Sequence, residues 1–162
     1  MTELDKDHKV KINTILDSKG SDVYSISPQS SLREMADEML VKKIGALVVT
    51  DKNDILVGII SERDFLSIVG KHAKDWEDIS VCDVMTKEVV TATPEDTLEQ
   101  VMSVMTQQHI RHIPVMSNNK IVGLLALGDI INALLDKSLF QNELLKRYIK
   151  DWPKDEDRKS VV

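Results

Sequence analysis

Apolar residues recur with helical spacing in two stretches of the chain that lie 66 residues apart (98 − 32). Spacings of three and four residues place each set on one face, so both stretches are predicted to form amphipathic helices with one buried face. A capping box precedes each helix, Ser31 with Glu34 in the first and Thr97 with Gln100 in the second. The apolar positions are Leu32, Met35, Ala36 and Met39, and then Leu98, Val101, Met102 and Met105.

Two further apolar runs, joined by a tight polar turn, follow each of these helices. Continuous runs of Val, Ile and Leu, without clean alternation, predict strands whose two faces are both covered. A shorter helix is then predicted after each pair of strands. The predicted strands are 46–50 and 55–60, then 113–116 and 121–125, and the predicted helices are 62–69 and 127–136.

The chain therefore contains one unit twice, and a repeat decides the fold before any local feature does. The predicted fold class is α/β, with two β-α-β-β-α repeats packed about a pseudo-twofold axis and extra N- and C-terminal helices. One repeat of about 60 residues buries too little surface to be stable alone, so each is expected to cover the other's sheet. The axis leaves two equivalent clefts between the repeats, and small ligands usually bind in such clefts.

The ends of the repeats are predicted from turn residues and from changes in polarity. Gly20 is expected to end the N-terminal helix. The last helix, 139–149, carries Leu144, Leu145 and Tyr148 on one side. Charged residues at 1–9 predict a loose N-terminus. The predicted divisions are 10–70 for the first repeat with the N-terminal helix, 71–81 for a linker, 82–136 for the second repeat, 137–150 for the C-terminal helix and 151–162 for a disordered tail.

The composition of the chain excludes several classes of protein. The chain has 162 residues, 42% of them hydrophobic and only 4% aromatic, with a net charge of −6, so an aliphatic core and no nucleic-acid surface are expected. One cysteine, Cys82, excludes an internal disulfide and is typical of a reducing compartment. No apolar run approaches the roughly 18 residues of a membrane span, and the N-terminus lacks the apolar stretch of a signal peptide. A cytoplasmic protein without membrane contact is therefore predicted.

Three short motifs resemble those of cystathionine-β-synthase (CBS) domains in the tandem arrangement called a Bateman module. The motifs are Gly-Ile-Ile-Ser-Glu-Arg-Asp at 58–64, Asp-Val-Met-Thr at 83–86 and Ile-Arg-His-Ile-Pro-Val at 110–115. With the pair Gly128-Asp129 and the C-terminal helix, the chain is similar to small stand-alone bacterial members. The resemblance implies a non-enzymatic sensor that binds an adenine nucleotide, with AMP as first choice and ATP or NAD as alternatives. It also implies a homodimer that signals to an unidentified protein partner in trans.

The resemblance also implies which residues bind the nucleotide. Asp64 would accept the ribose hydroxyls, and Ser61 at a helix start would help to bind phosphate with backbone N–H groups. Arg111 and His112 would face the phosphates, because the planar fork of an arginine makes bidentate charged hydrogen bonds. The implied site residues of this first cleft are Ile60, Ser61, Arg63, Asp64, Thr86, Val90, Ile110, Arg111 and His112.

The residues alone leave other interpretations open. Ser61 and Asp64 also fit a capping box that only starts a helix, and the arginines fit a solvated surface. The second copy keeps the aspartate as Asp129 but has Ala126 in place of the serine. Because a reciprocal cap needs the hydroxyl, this difference is interpreted as favouring ligand binding by the aspartate, although a helix start attracts any carboxylate.

The second cleft is expected to differ from the first. Its implied residues are Lys19, Tyr24, Ile44, Gly45, Leu125 and Asp129. Ala126, Gly128 and Gly45 stand where the first cleft has Ser61, Arg63 and Arg111, so three polar groups are missing. This cleft is predicted to bind a less charged ligand, to bind more weakly, or to stay empty.

The sequence does not predict a metal site or a catalytic site. His109 and His112 lie three residues apart without a carboxylate or thiol at ligand spacing, whereas a structural metal site needs about four ligands. No motif combines a nucleophile with a base, and no glycine-rich phosphate loop is present, so no catalytic residue is predicted. A ligand-free dimerisation module remains the alternative function, and an enzyme acting on nucleotides is a weaker third.

Overall fold

The computed structural model describes residues 9–20, 22–72 and 74–151, so the predictions for 1–8 and for the tail from 152 onwards lie outside the described residues. Five helices and five strands are present in this part of the chain. The helices are α1 (Ile12–Lys19), α2 (Leu32–Lys42), α3 (Glu62–Lys71), α4 (Leu98–Gln108) and α5 (Leu127–Asp151). The strands are β1 (Ser25–Ile26), β2 (Ala46–Thr50), β3 (Leu56–Ser61), β4 (His112–Ser117) and β5 (Lys120–Ala126).

The strands form two small sheets with matching register. In the first sheet the order is β1-β2-β3, with β1 parallel to β2 and β2 antiparallel to β3. The second sheet pairs β4 and β5 antiparallel, and its first strand is reduced to one parallel bridge between Ala92 and Val115. This bridge repeats the pairing of Ile26 with Val49 in the first sheet at the offset that the sequence predicts. The predicted α/β fold with two repeats is confirmed.

Both predicted capping boxes are present and set the start of the long helices. Ser31 Oγ accepts a hydrogen bond from Glu34 N at 3.1 Å, and Glu34 Oε2 accepts one from Ser31 N at 2.8 Å. Thr97 and Gln100 make the same two bonds at 3.2 and 2.9 Å. A cap of this kind stabilises a helix by about 1 kcal/mol, because it satisfies backbone N–H groups that have no partner inside the helix.

Each repeat has its own core, and each core includes the segment that precedes the other repeat. Ile12, Ile15 and Leu16 of α1 are buried in the core of the second repeat. Val81, between the repeats, is buried in the core of the first repeat. There Trp76 packs edge-on against Phe65, with the two ring centroids 5.0 Å apart. The sequence predicts that the N-terminal helix belongs with the first repeat, whereas it packs in the core of the second. Residues 71–81 are predicted to be a linker, whereas Trp76 and Val81 within them pack in the core of the first repeat.

Two glycines make this exchange possible, because each lies directly beneath an exchanged side chain. A Cβ atom added at Gly58 would lie 2.4 Å from Met85 Sδ, and one added at Gly123 would lie 2.5 Å from Leu16 Cδ2. A larger residue at either position would therefore have to displace the Met85 or the Leu16 side chain that lies over it. The two glycines occupy equivalent positions on β3 and β5, so each repeat accepts its neighbour's segment at the same point.

The last helix is longer than predicted. The sequence predicts separate helices at 127–136 and 139–149, whereas α5 runs unbroken from Leu127 to Asp151. The physical reason is that no glycine or proline interrupts the chain between Gly128 and Pro153. The side chains of Leu144, Leu145 and Tyr148 lie outside the described ones. Within the described residues, no helix has the combination of length and hydropathy that crossing a membrane requires.

Candidate functional site

The first cleft lies where the end of β3 meets the segment that joins the repeats. Along β3 the side chains alternate, with Gly58 and Ile60 facing the core and Ile59 and Ser61 facing the cleft. Thr86 N donates to Ile59 O at 2.9 Å and Ile59 N donates to Thr86 O at 3.0 Å, which fixes the joining segment against the strand. The cleft has a volume of about 280 Å³.

Seven of the nine residues predicted for the first cleft line it together. They are Ser61, Arg63, Asp64, Thr86, Ile110, Arg111 and His112. Ile60 does not line the cleft, because it is fully buried in the core of the first repeat. Val90 is half-buried and does not line it either. The sequence analysis missed Ile59, Glu62 and His109, and the two-residue alternation of a strand would have identified Ile59.

Asp64 both caps α3 and faces the first cleft. Ser61 N and Ser61 Oγ donate to Asp64 Oδ2 at 2.9 and 3.1 Å, and Asp64 N donates to Ser61 Oγ at 3.4 Å. The capping interpretation of the motif is therefore confirmed. It does not exclude ligand contact, because the hydrogen bonds that the described residues make to this carboxylate all fall on Oδ2. Oδ1 is left as an acceptor for a molecule in the cleft.

Asp129 performs the same capping role without a hydroxyl partner. Ala126 N donates to Asp129 Oδ2 at 2.8 Å, at the start of α5. Asp129 therefore caps α5 without a serine, and the prediction that a cap needs the hydroxyl is wrong. An aspartate at both helix starts is explained by the backbone N–H groups alone. Whether a cleft binds a ligand therefore depends on the other side chains that line it.

Two guanidinium groups line the first cleft. Arg63 comes from the first turn of α3, and Arg111 comes from the loop before β4, in the other repeat. Both side chains are exposed, and among the described residues neither forms an ion pair. The loop is fixed from behind, since Leu127 N donates to Arg111 O at 2.8 Å. A carboxylate of one repeat and an arginine of the other therefore face the same space.

His112 lines both clefts, at the boundary between the repeats. Burial lowers the pKa of His112 below its ordinary value; Glu62 and Asp129 oppose this shift, and Lys19 and Arg111 add to it. A neutral imidazole is expected at pH 7. A Cβ atom added at Gly45 would lie 3.2 Å from Glu62 Oε1 and 3.7 Å from His112 Nε2. The absence of a side chain at Gly45 therefore leaves room for both groups.

The second cleft is larger, about 390 Å³, and its surface differs from that of the first. Of the residues predicted for it, Lys19, Tyr24, Ile44 and Gly45 line it, and Leu125 does not, because it is fully buried. Asp129 does not line it either. The Lys19 ammonium pairs with Asp129 Oδ2 and donates to Leu124 O at 2.7 Å, so Lys19 takes the place of the carboxylate in the wall. The missed residues are Gly20, Asp22, Ala46, His112, Leu124 and Ala126.

A third hollow, of about 430 Å³, lies between α2 and α3 and was not predicted. Its walls are mainly apolar and include Met39, Phe65 and Trp76. Leu40 and Leu66 also line it, although their side chains are 75% and 68% exposed. Apolar side chains of this size at such exposure mark a surface suited to contact with another protein.

Metal chemistry has no assembled site in the described part of the chain. There, no group of three or more His, Cys, Asp or Glu side chains is positioned to hold a metal ion. His109 and His112 both line the first cleft, together with Asp64 and Glu62, but they do not form such a group.

Comparisons with known proteins agree on one family. The family model of the CBS domain matches residues 18–71 and 81–136. A solved CBS-domain containing protein from Agrobacterium tumefaciens is 35% identical, with a TM-score of 0.75, over 79% of this chain and 96% of that one. The CBS domain-containing protein YhcV of Bacillus subtilis is 29% identical over 128 residues, which are 78% of this chain and 90% of that protein.

A more distant structure shares the fold alone. It is the CBS domain pair of protein MJ0100, solved in complex with 5′-methylthioadenosine and S-adenosyl-L-methionine. It is 22% identical to this chain, with a TM-score of 0.70, over 80% of this chain and 98% of that one.

Proposed function

The chain belongs to the CBS-domain family, as a tandem pair of CBS domains, and from this premise we propose that it binds an adenine nucleotide in the first cleft. The observation that carries the proposal is the meeting of Asp64 from one repeat with Arg111 from the other in one cleft. The module acts without catalysis, in the cytoplasm, and its output is read by a protein partner in trans. Support from relatives is limited to the adenosine ligands of the MJ0100 domain pair.

The chemistry of the cleft matches the parts of a nucleotide. The free oxygen of Asp64 accepts a ribose hydroxyl, and the guanidinium of Arg111 makes charged hydrogen bonds to phosphate. Ile59 and Ile110 offer apolar contact to the base. A volume of about 280 Å³ lies at the lower end of small-molecule sites, which favours AMP over the larger ATP and NAD.

Ligand binding would act on the angle between the repeats. The cleft takes Asp64 from the first repeat and Arg111 and His112 from the second, so a bound nucleotide joins both. A ligand shifts an equilibrium only by the difference between its affinities for the two states. A closed arrangement that brings both repeats onto the nucleotide binds it more tightly and is therefore favoured when the nucleotide is present.

Calorimetric titration with AMP, ATP and NAD tests the proposal. Asp64→Asn removes the charge while keeping an oxygen for the Ser61 N–H group, and we expect AMP affinity to fall at least about tenfold. Asp96→Asn is the matched control, because Asp96 Oδ2 accepts from Thr93 N at 2.8 Å in a turn that lines neither cleft. Equal AMP affinity in the Asp64 variant and the unchanged chain would exclude this carboxylate from the site.

The hollow between α2 and α3 favours a second function, assembly with another copy of the chain. Leu66 on α3 and its counterpart Ile131 on α5 are 68% and 41% exposed, so two copies can present similar apolar faces to each other. A homodimer formed in this way needs no ligand. Sedimentation of Leu66→Glu should show a monomer, whereas Ile55→Glu, at a hairpin position that is 55% exposed, should leave the mass unchanged.

Thermal unfolding separates the two functions. A ligand at 100 times its Kd stabilises the native state by roughly 2.7 kcal/mol, which raises the melting temperature. A module that only dimerises melts at the same temperature with or without nucleotide. A rise that is lost in Asp64→Asn and kept in Leu66→Glu would show that binding does not depend on assembly.

A further inference from the structure

Lys19 occupies the position in the second cleft that corresponds to the sugar-binding position proposed for the first. Its ammonium pairs with Asp129 Oδ2 at 2.5 Å and donates to Leu124 O at 2.7 Å. Asp129 is the counterpart of Asp64, and Ala126 N donates to the same oxygen. The charge that would attract sugar hydroxyls is therefore neutralised within the chain, and the carboxylate no longer lines the cleft.

The position of this ammonium is fixed by the exchange of segments. Lys19 is the last residue of α1, and Ile12, Ile15 and Leu16 anchor that helix in the core of the second repeat. Gly20 follows with a φ of 92°, a conformation that suits glycine and turns the chain away directly after the lysine. The Lys19 side chain is 36% exposed, so part of it packs along the wall of the cleft while the rest meets solvent.

No lysine is among the described residues that line the first cleft. Asp64 takes its hydrogen bonds from Ser61, a neutral partner, and forms no ion pair among the described residues. Arg63 and Arg111, the arginines that line the cleft, form no ion pair among the described residues and remain available to an anion. The two clefts thus differ in one decisive respect, the state of the carboxylate at the helix start.

We propose that Lys19 is a specificity-determining residue that closes the second cleft to ribose and limits each chain to one bound nucleotide. This inference rests on the proposed function of the first cleft for the ligand class. A nucleotide that entered the second cleft would meet the paired ammonium of Lys19 in place of the carboxylate, because Asp129 does not line that cleft. Its affinity there should be lower than in the first cleft by at least about tenfold.

Native mass spectrometry and calorimetry with AMP test the proposal on the full chain. The unchanged protein should bind one AMP per chain. Lys19→Met removes the charge and keeps the length of the side chain, and should bind two. Lys19→Arg retains an ion pair and should bind one. Lys11→Met is the matched control, because Lys11 pairs with Glu95 at the other end of α1, away from both clefts, and it should bind one.

Each outcome separates this inference from the proposed function. Two AMP molecules on the unchanged chain, or no gain in Lys19→Met over the unchanged chain, would overturn the role of Lys19. Binding to Lys19→Met alone would support that role and overturn the function of the first cleft. Adding Asp129→Ala to Lys19→Met should abolish the gained site, and persistence of that site would place it elsewhere. A melting curve of each variant verifies that it is folded, and Lys19→Gln replaces Lys19→Met if the latter is not.

Discussion

The two clefts are built from equivalent elements and yet present different chemistry. Each lies at the junction of a strand and a helix whose first turn is capped by an aspartate, Asp64 in one and Asp129 in the other. The first exposes its carboxylate and two arginines, and the second covers its carboxylate with Lys19. Duplication of the backbone has therefore preserved what the helix needs, and the surrounding side chains decide what each cleft can bind.

The presence of an aspartate at both helix starts does not by itself indicate a shared function. The aspartate is present twice because a backbone N–H group at each helix start needs an acceptor. A binding site differs from a structural cap in the charged side chains that surround the aspartate. In the first cleft these include Arg63 and Arg111, which form no ion pair among the described residues, and also Glu62; in the second they are Lys19, which is already paired, and Asp22.

The largest difference between the two clefts should come from filling the space beneath the exchanged segments. Gly58→Val should drive Met85 and Thr86 off β3, at a cost of about 1–3 kcal/mol of unfolding free energy, and should weaken AMP binding. Gly123→Val should cost a similar amount by displacing Leu16, and should leave the first cleft intact. Denaturant unfolding measures the loss of stability in both variants, and calorimetry measures their AMP binding.

Gly128→Ala is the control for this pair. An added Cβ atom there meets no other heavy atom within 4 Å, so stability should be unchanged or should rise by less than about 1 kcal/mol. Equal AMP binding by the Gly58 and Gly123 variants would show that the first cleft does not depend on the joining segment.

A smaller effect should come from the arginine that only the first cleft possesses. Arg111→Ala should lower AMP affinity by about tenfold and leave the weaker binding of adenosine, which has no phosphate, unchanged. Arg33→Ala is matched to it, since that exposed arginine pairs with Asp37 on α2 and lines neither cleft. An equal loss for AMP and adenosine would place Arg111 near the sugar or the base instead of the phosphate.

The smallest effect concerns His112, the residue that the two clefts share. Burial lowers its pKa in the folded chain, so below the ordinary pKa of about 6.5 the unfolded chain binds a proton more readily. Its contribution to stability is present above that pH and is lost as the pH falls towards the folded pKa. Denaturant unfolding between pH 7.5 and pH 5.5 should therefore show a weaker pH dependence for His112→Gln than for the unchanged chain.

His109→Gln is the control for this experiment, because His109 lines the first cleft but not the second. A pH dependence that is the same for His112→Gln and the unchanged chain would show that the imidazole titrates alike in the folded and unfolded states.

Much of the fold could be predicted because its signals are local. The capping boxes at Ser31 and Thr97, the apolar faces of α2 and α4, and the repeated order of elements are all set by residues close together in sequence. The position of α1 could not be predicted, since its apolar face fits either core equally well on pattern alone. Contacts distant in sequence decide between them, such as the packing of Leu16 over Gly123 and the hydrogen bond from Ile12 N to Asp96 O at 2.9 Å.

The candidate site was predicted less completely, for a physical reason that differs from residue to residue. Ile60 and Leu125 were placed in the clefts one position out of step, and a shift of one residue moves a strand side chain to the opposite face. The pairing of Lys19 with Asp129 joins residues 110 positions apart, and no local pattern reports it. The resemblance brought both residues to the same cleft without indicating that they bind each other.

The exchange of core segments has a consequence for how such a protein could arise. A polypeptide holding one repeat and its own leading segment would leave its core uncovered, because that segment packs on a neighbour. An ancestor of half this length would have been complete only as a reciprocal pair. Joining two such halves in one gene ties the partners together, and the sequences on either side of the seam are then free to diverge.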